Sequence, residues 1–230
     1  MRTGIYFLLS FYLGLMISHA QNLAPLNLEV RAVYNKNPIV IKEDRSMILD
    51  DKTGLEISKL KFYLSHFELY NDNEMVFSEE NSYHLMDASD ENSMKIQLSI
   101  PENIQYNKMK FYLGIDRKTN EEGIKGGSLD PTKGMYWSWQ SGYINFKMEG
   151  KSNLCKTRYN EFTFHLGGFS DPFYAMQEVE VNINSHTKAL YMDIDQFFSK
   201  INLSEQNNIM IPGKKSVEMS KIISKIFRAE

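Results

Sequence analysis

The chain has 230 residues, of which 42 % are hydrophobic and 24 % are charged, and this composition is typical of a globular protein with a buried core. Extensive disorder is therefore excluded. Lys and Arg total 26 against 29 Asp and Glu, so the net charge of −3 does not supply the basic surface that nucleic-acid binding requires.

The start of the chain has the pattern of a secretory signal peptide. A basic residue precedes the apolar run Ile5–Ile17, and small or polar residues follow it up to Ala20. The run is too short to span a bilayer comfortably, so we expect cleavage after residues 1–20 and no integral membrane segment in the mature protein. We therefore expect residues 21–230 to form one β-rich domain that is periplasmic or secreted.

Six segments alternate apolar and polar residues with the period of two that half-buried strands show. They are LNLEVRAV, KLKFYL, MKIQLSI, KMKFYLGI, FTFHL and EVEVNIN. Turn-rich stretches such as NDNE and NSHTK separate the segments, and helical patterns between them are missing. This organisation predicts an all-β protein, an antiparallel β-sandwich, rather than βαβ units. After Leu64 the apolar phase changes to Phe67 and Leu69, which predicts a bulge near Ser65 and His66.

The end of the chain predicts a short C-terminal amphipathic helix. After a turn at Pro212 and Gly213, apolar residues recur at helical spacing. They are Met219, Ile222, Ile223, Ile226 and Phe227. Ser216 is the expected N-cap. Because the polar face is not strongly basic, we expect the apolar stripe to pack on the core rather than on a membrane.

The common catalytic signatures are missing from the sequence, which has no GxSxG, HExxH, CxxC, Walker A or GxGxxG motif. We therefore expect no enzymatic turnover. Cys155 is the only cysteine, so no intramolecular disulfide can form and the hydrophobic core must hold the fold.

Two histidines are candidate metal ligands. His165 in FTFHLGG alternates with Phe164 and Leu166, so the pattern places it on the strand face away from the core. The residue pattern alone fits a surface histidine as well as a ligand. His84 in YHLMD is the second candidate.

The two tryptophans of the chain, Trp137 and Trp139, share one strand face in the segment GMYWSWQSGY. Such a pair is consistent with aromatic packing, with a platform on which a sugar stacks, or with a site where an indole is itself chemically altered. The residue pattern leaves these alternatives open.

A longer set of motifs resembles the MbnP-like family of exported copper-binding proteins, which is related to the copper proteins MopE and CorA. The stretch LDPTKGMYWSWQSGYINFKMEG carries most of the resemblance, and KLKFYLSHFELY, YHLMD, FYLGID, FTFHLGGF and the closing helix occur in the family's order. The resemblance implies a β-rich exported protein that binds copper in copper acquisition or homeostasis.

The resemblance also implies a site and partners. In the wider family a dihaem protein of the MauG type can oxidise a tryptophan to kynurenine, whose nitrogen joins histidines around Cu(I). On this chain the tryptophan role falls on Trp137 or Trp139 and the histidine role on His165, with His84 next. An envelope copper importer or receptor is the other expected partner. The family's best-known site has a histidine close to the modified tryptophan, whereas here that neighbourhood contains none.

A second class of function is a metal-independent β-sandwich binding module. It would recognise a carbohydrate or protein ligand by stacking on exposed aromatic side chains. The candidates are Tyr136, Trp137, Trp139 and Tyr143. This hypothesis requires these rings to be accessible on the surface.

Overall fold

The computed structural model describes residues 22–42, 45–138 and 140–230. The predicted signal peptide and Trp139 lie outside the described residues, so the predictions on them stay predictions. None of the helices in the described residues is long and apolar enough to cross a membrane.

Strands make up most of the regular structure in these residues. The strands are β1 (Leu23–Tyr34), β2 (Asn37–Pro38), β3 (Met47–Asp50), β4 (Leu55–Asn71), β5 (Glu74–Ser78), β6 (Tyr83–Asp87), β7 (Lys95–Pro101), β8 (Lys108–Leu113), β9 (Tyr136–Ser138), β10 (Gly142–Lys151), β11 (Glu161–Gly167), β12 (Gln177–Asn182), β13 (Ala189–Asp193), β14 (Asn208–Ile209) and β15 (Phe227–Ala229). The helices are α1 (Arg117–Glu121), α2 (Ile194–Ser199) and α3 (Lys214–Ile223), with short 3₁₀ turns at Gly127–Leu129 and Pro131–Lys133. The six segments predicted from alternation are all strands.

The described strands form two sheets. The smaller sheet has the order β15-β13-β1-β2, with β7 also paired to β1. The larger has the order β12-β8-β4-β10-β11-β14, and in addition β3, β5 and β6 pair with β4 and β9 pairs with β10. The predicted all-β sandwich is confirmed. Most pairs are antiparallel, but β1 with β13 and β11 with β14 are parallel, so the sheets are mixed.

The main core fills the space between the two sheets. Alternate residues of β1, such as Leu28 and Val30, are buried in the same cluster as Phe62 of β4 and Phe111 of β8. The ring of Phe227 on β15 lies 6.4 Å from that of Phe62 and 5.4 Å from that of Phe111, centroid to centroid, and so joins the sheets directly. We call the side of the large sheet that faces this core its inner face.

A second, smaller apolar cluster covers part of the opposite side, which we call the outer face. Its buried members are Tyr63, Ile115, Leu129, Met135, Tyr143 and Ile144. Tyr63 alternates with the inner-face residues Phe62 and Leu64 along β4, as the period of a strand requires. Both faces of the middle of the large sheet are therefore covered by side chains.

The bulge predicted in β4 is confirmed. Pairing between β4 and β8 shifts between Ser65 and Glu68, and His66 adopts a left-handed φ of 52°. The extra residue returns Phe67 to the inner face, where its ring stacks on Phe111 at 5.2 Å. One strand can thus keep its apolar residues in the core on both sides of the bulge.

The C-terminal helix packs on the core as expected, with Met219 and Ile223 buried, but two details of its prediction are wrong. The helix ends at Ile223, and Phe227 lies on β15, where it pairs with β13. A short apolar run fits a strand as well as a helix, and the edge of the small sheet decides the outcome here. The N-cap is Gly213 and not Ser216.

Ser216 instead ties helix α3 to the end of β11. Its buried hydroxyl donates to the carbonyl of Gly167 at 2.8 Å and accepts from the Gly167 N–H at 2.9 Å. We expect Ser216→Ala to lower the free energy of unfolding by about 1–3 kcal/mol, because it leaves these buried groups without a partner. Ser220, equally buried on the same helix, has no hydrogen-bond partner among the described residues, so Ser220→Ala should cost little. Urea denaturation of both variants measures the difference, and equal losses would contradict this account.

Candidate functional site

Two short 3₁₀ turns precede residues 134–143, which we call the tryptophan-bearing segment. The Asp130 carboxylate accepts from the backbone N–H of Thr132 at 2.8 Å and so caps the short 3₁₀ turn that follows. Gly134 ends that turn with a left-handed φ of 74°, a conformation that favours glycine. Strand β9 then pairs with the start of β10 and carries Trp137 onto the outer face.

Trp137 is half-buried and packs against the small outer cluster. Its six-membered ring lies over Gly167 of β11. A methyl group at Gly167 would come within 2.8 Å of Trp137 Cζ3 and 2.5 Å of the Tyr143 carbonyl oxygen. The missing side chain at Gly167 therefore makes room for the indole.

His165 lies two residues before Gly167 on the same strand, and residues two apart in a strand share a face. The structure thus brings Trp137 and His165 to neighbouring positions on the outer face, although sequence spacing separates them widely. His165 is not a freely exposed surface side chain, since only 8 % of the residue is accessible. It faces away from the main core, but the network around it buries it.

His165 contacts a carboxylate that in turn binds a lysine. Nε2 of His165 lies 2.7 Å from Oε1 of Glu149, and Oε2 of Glu149 lies 3.0 Å from Nζ of Lys59. The hydrogen bond with His165, supported by Lys59, lowers the pKa of Glu149 to about 2. Glu149 is therefore ionised and accepts both bonds.

Lys147 connects this network to the tryptophan-bearing segment. It is the β10 residue directly opposite His165, and its ammonium donates to the carbonyl of Gly134 at 2.7 Å. Partial burial lowers the pKa of Lys147. This contact fixes the turn before Trp137 to the strand that also carries Glu149.

His84 does not join this arrangement. On β6 it pairs with Leu64, an inner-face residue, and its ring lies 5.6 Å from that of Phe67. Its Nε2 lies 2.9 Å from Oε2 of Glu79. The structure therefore places His84 on the opposite side of the sheet from His165.

The aromatic side chains expected to form an exposed platform are largely packed. Tyr143 is 1 % exposed, and its ring meets those of Tyr63 and Tyr136 edge to face at centroid distances of 6.2 and 4.9 Å. The hydroxyl of Tyr136 is buried without a partner in the part of the chain that the structure describes. Tyr136 and Trp137 are half-buried. The rings thus form a packed cluster with one partly open edge.

The described residues offer a metal few ligands. No group of three His, Cys, Asp or Glu side chains within them stands close enough to hold a metal ion. His165 is the imidazole that shares a strand with Gly167, over which the indole lies, whereas the ring of His66 contacts those of Tyr83 and Tyr112. Such a set fits a soft ion that is stable at low coordination number, provided that the tryptophan contributes a donor atom.

The sequence matches a protein-family model. The MbnP model matches residues 23–211, which is most of the chain. The chain belongs to the MbnP family. The solved structure of MbnP from Methylosinus trichosporium also matches, with a TM-score of 0.57, over 85 % of this chain and 87 % of that chain. The two are 13 % identical, so this likeness to MbnP shows the fold. No curated protein matches the chain.

Glu149 is the residue of this outer-face network that the sequence did not point to. Alternation in INFKMEGK places Lys147 and Glu149 on the polar side of β10, which was a readable signal. The register that sets this strand against β11 is not encoded locally, so the partner of Glu149 could not be read from the sequence.

Proposed function

We propose that this chain is an exported copper-binding protein that acts in copper acquisition or homeostasis. The copper is cargo, held as Cu(I) on the outer face between His165 and a group derived from Trp137 or Trp139. The observation that carries the proposal is that the Trp137 indole lies over Gly167, which is two residues from His165 on the same strand. Membership of the MbnP family supports it.

Unmodified indole is a poor metal ligand, so we propose that the tryptophan is converted to kynurenine. In the proposed step a peroxidase-like dihaem partner of the MauG type takes four electrons from the indole, while two oxygen atoms from water enter across the cleaved pyrrole bond and give N-formylkynurenine. Two equivalents of hydrogen peroxide re-oxidise the haems and are reduced to water. Hydrolysis then releases formate and leaves an aryl amine. An aryl nitrogen and an imidazole nitrogen suit Cu(I), which is stable at low coordination number. The half-buried position of Trp137 supports such a reaction, because part of the indole stays accessible to the surface.

This proposal assigns His84 no role in the site, because it lies on the inner face.

The binding module that stacks ligands on exposed aromatics is the weaker alternative. It has little support because Tyr143 is buried and Tyr136 packs against it. An envelope importer or receptor is the proposed acceptor of the copper.

The test compares two histidine variants that are matched in their environment. Each of His165 and His84 lies beside a glutamate, at 2.7 and 2.9 Å. Protein produced together with the dihaem partner is titrated with Cu(I) against a chromophoric chelator without oxygen. We expect His165→Ala to lower the copper affinity at least about 100-fold, since the site loses one of its few ligands. His84→Ala should leave the affinity unchanged.

Equal affinities of the wild type and His165→Ala would overturn the proposal. Absence of copper binding by the wild type, with kynurenine confirmed by peptide mass mapping of residues 134–147, would overturn it as well. A response of the tryptophan fluorescence to glycans and not to copper would favour the alternative.

A further inference from the structure

Glu149 bridges His165 and Lys59 in the middle of the large sheet, and we infer that it is a positioning residue that selects the metal-facing nitrogen of His165. It forces the imidazole proton onto Nε2 and leaves the lone pair on Nδ1 for copper. This inference rests on the proposed function, since it concerns the same site. No motif in the sequence assigns this role to Glu149.

The geometry fixes the tautomer in two steps. The positive charge of Lys59, 3.0 Å from Oε2, favours the ionised form of Glu149, and an ionised carboxylate can only accept. An ionised carboxylate has no proton to donate, so Nε2 of His165 at 2.7 Å must carry the hydrogen. A neutral imidazole has one N–H, and Nδ1 is then the free base.

The position of these groups makes the arrangement rigid. Lys59 and Glu149 are direct partners across β4 and β10, and His165 lies on β11, the next strand. All three strands are interior members of the large sheet. Because His165 is only 8 % exposed, its ring cannot turn freely to exchange the two nitrogens. Partners of this kind commonly set metal affinity without touching the metal.

The substitution Glu149→Gln tests the inference, because it should reverse the tautomer of the His165 imidazole. In Glu149→Gln, Lys59 still requires an acceptor, so the amide oxygen turns to Lys59 and the NH₂ group faces His165. Nε2 must then accept, the proton moves to Nδ1, and the nitrogen that faces copper loses its lone pair. We expect the copper affinity to fall about 10- to 100-fold.

Two further variants serve as controls. Lys59→Met added to Glu149→Gln removes the competing donor, so the amide oxygen can accept from Nε2 again and the affinity should recover. Glu79→Gln alters the matched pair with His84, 2.9 Å apart, and should leave the copper affinity unchanged. Far-UV circular dichroism confirms that each variant is folded.

The first readout needs no copper. Long-range ¹H–¹⁵N spectra of the full-length apoprotein, with His165 assigned by His165→Ala, report which ring nitrogen carries the proton. We expect protonated Nε2 in the wild type and protonated Nδ1 in Glu149→Gln. Wild-type His165 with its proton on Nδ1 would overturn the inference, whatever the copper result.

The copper titration provides the second readout. A reversed tautomer in Glu149→Gln with unchanged copper affinity would overturn the positioning role, while the proposed function would stand through His165→Ala. Failure of the wild type to bind copper would instead count against the proposed function, and the apoprotein spectra would still decide which nitrogen of His165 carries the proton.

Discussion

Replacing Phe146 with alanine is expected to lower the free energy of unfolding by about 3–5 kcal/mol. Phe146 is fully buried on β10, between β4 and β11, and its ring lies 6.2 Å from that of Phe62 across the strand pair. The residue sits in the middle of the large sheet, where the backbone cannot collapse to fill the cavity that truncation leaves. Urea denaturation followed by far-UV circular dichroism measures the loss.

The matched control is Phe173→Ala, because Phe173 is 40 % exposed in a loop. Its truncation should change the free energy of unfolding by less than about 0.5 kcal/mol. Similar losses in the two variants would mean that the inner face of the large sheet does not hold the core as described.

Replacing Asn120 with alanine should both destabilise the protein and disturb the tryptophan-bearing segment. The side-chain oxygen of this buried residue accepts from the Tyr143 N–H at 2.8 Å, and its NH₂ group donates to the carbonyls of Ile115 and Asp116 at 3.1 and 2.9 Å. Asn120 thus fastens α1 to the hairpin of β9 and β10. Loss of these bonds leaves buried backbone groups unpaired, at a cost of about 2–4 kcal/mol.

Two measurements follow this effect. Urea denaturation gives the loss of stability, and the tryptophan emission of the native state should shift to the red as Trp137 becomes more exposed. Asn37→Ala removes a bond between exposed groups and should change neither quantity. An Asn120→Ala variant with wild-type stability and emission would contradict the role given to Asn120.

Strand positions could be predicted from the sequence because burial on one face leaves a direct trace in every second residue. The bulge at His66 was also readable, since the inner face of β4 needs Leu64 before it and Phe67 after it. The end of helix α3 was not readable. Phe227 has the spacing of a helical residue, but the edge of β13 provides hydrogen-bond partners for the backbone around Phe227.

The candidate site was predictable in its residues and not in its contacts. The motif around Trp137 and the alternation around His165 identified both residues. The position of Trp137 over Gly167, two residues from His165, depends on how the hairpin of β9 and β10 folds back over β11. The role of Glu149 depends on the register of β10 against β11. His84 illustrates the same limit. The pairing of β6 with β4 sets His84 opposite Leu64 on the inner face and Leu85 opposite Tyr63 on the outer face, and a shift of one residue would exchange them.

The most direct test of the central claim is the position of copper in crystals of the copper-loaded protein. The protein is isolated from its native host or produced with the dihaem partner. Diffraction data are collected from its crystals at wavelengths on both sides of the copper absorption edge. We expect one anomalous peak on the outer face, within bonding distance of Nδ1 of His165 and next to a modified Trp137 or Trp139. A peak at His84, or none near His165 in crystals that contain copper, would contradict the account.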